Sequence, residues 1–227
     1  MLRAGLTGSL GSGKTTVAGI FRACGLHILE ADAIAREMMQ PGHDLFRRIV
    51  EHFGSEVLRP DGTLDRPRLA KLAFSDNRLG ELNRIVHPPV IAEQERRMSE
   101  IFAADPAAVV VIESALIFEA EAWGTVPEWR KRFDRIVLVT APDDLKIQRF
   151  LARILPTNAT AEERAAAERD ARQRLAAQLP DSVKISRADY VIDNSGPFDA
   201  IRGQAERIAG ELRSQSGSQR VVDTIRE

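Results

Sequence analysis

Five brief, β-branched apolar runs punctuate the chain: LRAGLT at 2–7, LHILE at 26–30, AVVVIE at 108–113, DRIVLVT at 134–140 and ADYVIDN at 188–194. Polar or turn residues close each run, and near-continuous apolar character marks strands covered on both faces. The longer segments between them carry apolar positions three or four residues apart, the period of an amphipathic helix. This alternation predicts an α/β fold with a five-stranded parallel sheet.

The links between strands are unequal. One helix, from about Lys14 to Cys24, joins the first two runs. Between the second and third runs lie HDLFRRIVEHF, DRPRLAKLAF, NRLGELNRIVH and PPVIAEQERRMSEIF, more chain than a crossover needs. Residues 41–106 are therefore expected to form a helical insertion over the sheet's carboxyl edge, where α/β folds bind ligands. Asp65 before Arg66 and Pro67 reads as an N-cap with proline in the first turn.

A second excursion, residues 146–179, centres on TAEERAAAERDARQRLAAQ, which favours helix but offers few large apolar anchors. It suits a mobile lid, or a solvated surface helix held by pairs such as Glu168 with Arg172; composition alone favours the second. The core domain is assigned to residues 1–40, 107–145 and 180–212. Polar residues 213–227 read as a frayed tail, and no internal repeat is visible.

Charge and cysteine usage narrow the class further. Against 33 acidic residues stand 32 basic ones, so no global field draws the chain to nucleic acid or a membrane, and neither is expected as a partner. Cys24 is the only cysteine, which excludes an intrachain disulfide and suits a reducing compartment. Met1 leads straight into the first strand without room for a leader peptide, and no apolar run approaches the ~18 residues that cross a bilayer. A cytoplasmic protein is expected, with a monomer favoured. No His/Cys cluster has metal-site spacing.

The chemistry begins with GSLGSGKTT, residues 8–16. Gly8, Ser9, Leu10, Gly11, Ser12, Gly13, Lys14 and Thr15 fill the phosphate-binding pattern G-x-x-x-x-G-K-[ST], between a strand and a helix, with Thr16 following. Glycines let the backbone approach phosphate oxygens, and the helix start adds its positive dipole end. Lys14 then reaches the β- and γ-phosphates while the Thr15 hydroxyl faces Mg²⁺, so ATP and Mg²⁺ are the expected ligands. The stretch VTAPDDLK lacks the N/T-K-x-D tetrad of a guanine-specific switch. VVVIE ends in Glu113 and Ser114 rather than the Asp-Glu of a motor ATPase. A compact phosphotransferase remains.

After the second strand, EADAIARE places Asp32 and Arg36 one helical turn apart beside the loop. Asp32 could take the proton of an attacking hydroxyl and Arg36 hold a phosphate; equally, the two could be an N-cap and a weak ion pair.

Taken together, these stretches resemble the dephospho-CoA kinase family from about residue 3 to 207. The matching motifs are GSLGSGKT, Glu30-Ala31-Asp32 with Arg36, IVHPPV, IESALIFE, Arg149 with Arg153, Arg174 with Gln178, and ADYVIDNSG. The resemblance implies a P-loop kinase with a helical lid, transferring phosphate from ATP to the ribose 3′-hydroxyl of dephospho-CoA. It implies Asp32 as base, Arg149 and Arg153 as a lid clamp acting with Lys14, and Asn194 near the adenine of ATP. On the acceptor side it implies Arg36, His87 and Pro88, with Glu119 also placed there; Leu116, Ile117 and Phe118 could wall that site or equally pack in the core. Mg²⁺ would sit on Thr15, with Glu113 reaching it through water. Rival readings are another small-molecule or nucleotide kinase of this fold, or a regulatory P-loop NTPase.

The chain departs from the family pattern in three places. Glu30 replaces the first aspartate of D-A-D, and Glu113-Ser114-Ala115 replaces D-x-P. The segment from Arg153 to Arg174 is longer than usual, which leaves the roles of Arg174 and Gln178 open.

Overall fold

Strands β1 (Leu2–Thr7), β2 (His27–Glu30), β3 (Val109–Glu113), β4 (Arg135–Thr140) and β5 (Tyr190–Asp193) form one parallel sheet in the order β2-β3-β1-β4-β5. The register places Gly5 between Ile112 and Ile136. The computed structural model describes the backbone of residues 1–75, 78–122, 124 and 129–224.

Both faces of the sheet are covered, which is why the strands read as continuous apolar runs. On one face Val137 and Val139 of β4 meet Val17 and Phe21 of α1 (Lys14–Ala23) and Ile208 of α10 (Phe198–Thr224). The alternate residues Ile136 and Leu138 face Phe118, Trp129 and Phe133. Each fully buried side chain of this size contributes roughly 1.5–3 kcal/mol.

The insertion has its own core. Ile34 of α2 (Ala31–Met38), Leu45 and Ile49 of α3 (Asp44–Phe53) and Leu69 of α4 (Arg66–Ser75) pack against Val90 of α5 (Leu79–Ala104). Asp65 caps α4 as expected, its Oδ1 accepting the Arg68 N–H at 3.0 Å. The two segments expected on either side of Pro88 are instead one helix, α5, running through Pro88 and Pro89. Each proline removes one backbone donor. Packing of Ile85, Val86 and Val90 into the insertion core holds the helix together across the gap. Asn77, which opens the expected NRLGELNRIVH segment, lies outside the described residues.

The second excursion is α7 (Asp143–Ile154) and α8 (Ala161–Ala176), joined by a narrow seam of Ile147, Phe150 and Ala171 that also takes in Leu10 of the glycine loop. Thr160 and Glu163 form a reciprocal capping box at the start of α8, and Arg172 pairs with Glu168 at 2.7 Å. Two short helices, α6 (Glu119–Ala122) and α9 (Asp181–Ile185), follow β3 and α8.

The tail expected at 213–227 is corrected in part: α10 continues to Thr224. Its polar side chains find backbone acceptors and one phenol in place. Ser216, fully buried, donates to Ala107 O at 2.8 Å, Arg213 donates to Cys24 O at 3.2 Å, and Gln215 donates to the Tyr190 hydroxyl at 2.8 Å. Residues 225–227 lie outside the described residues.

Candidate active site

The glycine loop closes against two neighbours that leave no room for a side chain. At Gly11 (φ 70°) a Cβ would lie 2.1 Å from the Lys146 carbonyl oxygen, and at Gly13 (φ 96°) 2.0 Å from Asn194 Nδ2. Glycine is the residue that accepts both the left-handed backbone and the close approach. Helix α1 starts at Lys14 with no side-chain cap; Thr16 N–H turns back to Gly13 O at 3.1 Å, which leaves the Lys14 and Thr15 N–H groups at the helix start to meet an anion. Lys14 Nζ donates to Gly8 O at 2.8 Å and Ser9 O at 3.3 Å, folding the ammonium over the loop. Burial holds its pKa below the ordinary lysine value; Glu113 and Asp32 pull it back up, while Lys184 and Arg153 add to the drop. The ammonium thus lies within electrostatic reach of all four groups.

Asp32 stands in the first turn of α2, directly after β2, exposed and with no hydrogen bond or ion pair among the described residues. It is not the N-cap, a position held by Glu30, and it makes no ion pair with Arg36. Glu30 itself pairs with Arg22 at 2.9 Å. Arg66, at the start of α4, was missed by sequence reasoning. Burial lowers its pKa, the neighbouring Arg36 lowers it further, and Asp32 opposes them. Neither Arg36 nor Arg66 makes an ion pair among the described residues, and Arg66 lies within electrostatic reach of both Arg36 and Asp32. Only the apposition of α2 and α4 through the insertion core reveals this.

Glu113, at the end of β3, has its pKa raised by burial, with Lys14 opposing and Asp32 and Glu30 reinforcing the rise. A raised carboxylate pKa gives stability at low pH that is lost as pH rises through the folded value. The ionised form is therefore carried at a cost near neutrality. Glu113→Gln should melt at or above the wild-type temperature at pH 8 while turning over more slowly, and the gap in melting temperature should close as pH is lowered. A variant that melts below wild type at pH 8 would contradict this.

The remaining expected residues divide. Arg149 Nη1 donates to Asn194 O at 2.9 Å, and Asn194 Nδ2 donates to Ser12 O at 2.7 Å, so both brace the loop from the β5 side. Arg153 is exposed, 5.6 Å from the Phe150 ring centroid; Arg174 lies 5.8 Å from the same centroid and pairs with Asp170. Gln178 Oε1 accepts the Leu10 N–H at 3.1 Å. His87 is half-buried in α5, and burial lowers its pKa, favouring the neutral ring; Pro88 is exposed. Leu116 is half-buried, whereas Ile117 packs in the core beside Gly5 and Phe133. Glu119, expected on the acceptor side, is corrected. It is 1 % exposed and turned inward, 2.6 Å from the fully buried Lys184. A carboxylate out of water requires such a partner, and Lys184 comes from α9, far away in sequence.

Oxygen donors suited to a hard cation are present at Thr15 and Glu113, which fits Mg²⁺ held mainly by substrate phosphates and water. Among the described residues no group of three or more metal-ligating side chains forms a dedicated cage. No described helix is long and apolar enough to cross a membrane.

A glycine loop at the β1–α1 turn of this sheet, with a lysine over it and a carboxylate after β2, defines a P-loop phosphotransferase of the small-molecule kinase type. The family model described as dephospho-CoA kinase matches residues 2–199. A dephospho-CoA kinase of Corynebacterium efficiens is 39 % identical over 213 residues, covering 93 % of this chain and 98 % of the relative. That of Moorella thermoacetica is 40 % identical over 210 residues, covering 92 % and 91 %. A solved protein from Thermus thermophilus superposes with a TM-score of 0.69 at 30 % identity, covering 93 % of this chain and 97 % of that one. The chain belongs to the dephospho-CoA kinase family.

Proposed function

We propose that the protein transfers the γ-phosphoryl group of ATP to the ribose 3′-hydroxyl of dephospho-CoA, giving coenzyme A and ADP. The observation that carries this reading is the meeting of Lys14, Asp32 and Glu113 at one sheet edge, inside a chain of this family. Loop amides at Gly11, Gly13, Lys14 and Thr15 and the Lys14 ammonium gather the triphosphate charge. The acceptor lies over α2, its anionic groups held by Arg36 and Arg66, with His87 and Pro88 of α5 and Leu116 bordering it. The 3′-oxygen attacks phosphorus, the bond to the ADP oxygen breaks, and the hydroxyl proton passes to an Asp32 carboxylate oxygen.

Phosphoryl transfer needs charge neutralisation and alignment more than a strong base, so an exposed carboxylate suffices. Arg149 and Arg153, on the excursion 146–179, neutralise the transferred group when that lid closes over the loop. Thr15, with Glu113 through water, would hold Mg²⁺, which when bound supplies positive charge between the phosphates. Residues 41–106 serve as the acceptor-binding insertion. A cytoplasmic setting accords with Cys24 as the sole cysteine.

ADP release over an acceptor panel tests the reading. Dephospho-CoA should exceed nucleosides and nucleoside monophosphates by about a hundredfold in kcat/KM. The reverse order would assign a nucleotide kinase, and release that no acceptor stimulates would point to a regulatory NTPase.

A further inference from the structure

A buried polar network joins the phosphate-binding loop to the chain returning from α8 to β5. Ser9, 2 % exposed, donates its hydroxyl proton to Asp181 Oδ1 at 2.6 Å. Asp181 Oδ2 accepts from Lys146 Nζ at 2.6 Å and from the Thr140 hydroxyl at the end of β4. Lys146, 2 % exposed, keeps a second partner in Asp143 at 3.0 Å. On the other side Lys184 approaches Ser9 Oγ at 3.4 Å while paired with Glu119, whose Oε1 also accepts the Leu179 N–H at 3.2 Å. The next loop residue, Leu10, bonds Gln178.

Four charged groups are thus held largely out of water around one loop hydroxyl. Buried ion pairs are poor sources of net stability, because desolvation offsets most of the attraction; their exact geometry is what apolar replacements cannot supply. Burial alone would raise the Asp181 pKa, yet hydrogen bonds from Lys146, Ser9 and Thr140 hold it below the ordinary aspartate value, so it is ionised at neutral pH. The partners converge from α6, α7, α9 and β4 on the first turn of the loop, and residues 178–184 are where the helical excursion rejoins the sheet. A shift of that return segment cannot leave the loop unmoved.

We propose that Asp181 is a positioning residue for ATP: through Ser9 it fixes the phosphate-binding loop on the base of the α7–α8 excursion, making triphosphate affinity depend on where that excursion sits. The inference rests on the loop holding ATP but not on the identity of the acceptor. Its test is therefore equilibrium binding of a non-hydrolysable ATP analogue to the full chain, independent of the acceptor panel.

Asp181→Ala, which leaves Lys146 paired with Asp143, and Ser9→Ala, which keeps every charge, should each weaken the analogue by about ten- to a hundredfold, the scale of one charge-assisted hydrogen bond. The double variant should be no weaker than either single, because both remove the same contact. Dephospho-CoA KM at saturating ATP should change less than about threefold, on the same conversion of free energy to affinity. Wild-type analogue affinity in folded Ser9→Ala, or losses that add in full, would overturn the proposal. Should Asp181→Ala not fold, Asp181→Asn combined with Ser9→Ala carries the same comparison. A purely structural role would lower the melting temperature of the variants and leave analogue affinity unchanged.

Discussion

Lys14→Ala is expected to fold as wild type and to lose turnover by about a thousandfold or more, the upper range for removing one preorganised charge from a transition state. In the structure the ammonium already lies over the loop, donating to Gly8 O and Ser9 O, so it needs no reorganisation to meet a triphosphate. Its lowered pKa shows that the fold carries this charge against burial and against Lys184 and Arg153. A lysine whose folded pKa lies below its unfolded value costs stability at pH values under both. Removing it should therefore not lower the melting temperature. Thermal melts and steady-state ADP release on the same preparation check the two halves together: a well-folded variant with near-normal turnover would remove Lys14 from the chemistry, and a collapsed one would contradict the electrostatic argument.

Much of the fold was legible because its signals are local. β1 to β5 fall within a residue or two of the five apolar runs, since strands covered on both faces write their burial directly into sequence. The glycine loop was legible because its pattern is contiguous, residues 8–15, although the groups that leave no room for a side chain at Gly11 and Gly13 come from distant Lys146 and Asn194. Where partners come from distant segments, the signal failed. Nothing in the sequence around Lys184 marks it as buried, because its partner is Glu119, far earlier in the chain. Glu119 in turn looked like a site carboxylate because its family motif follows β3, yet its side chain faces inward. Arg66 gained meaning only when α4 was brought against α2. The prolines at 88 and 89 suggested a break, but core packing on both sides outweighed two missing donors. Polar residues past 212 suggested fraying because sequence cannot show that Ser216 meets buried carbonyls.

Asp32→Asn is expected to reduce kcat by about 10² to 10⁴, the range of general-base catalysis, with the fold unchanged. The substitution is isosteric, and the Asp32 side chain makes no hydrogen bond or ion pair among the described residues, so no packing or hydrogen bond is broken. The difficulty is that its charge also acts on Lys14, so a slower variant could reflect a displaced ammonium rather than a lost proton acceptor. ATP affinity separates the two. If Asp32 takes the proton, the variant binds a non-hydrolysable ATP analogue as wild type does and loses rate only with acceptor present; its residual acceptor-independent hydrolysis stays where it was. If Asp32 acts through Lys14, analogue affinity and hydrolysis fall together. A near-normal rate with dephospho-CoA would exclude both roles and move the search for the base to Glu113, the other carboxylate that reaches the same ammonium.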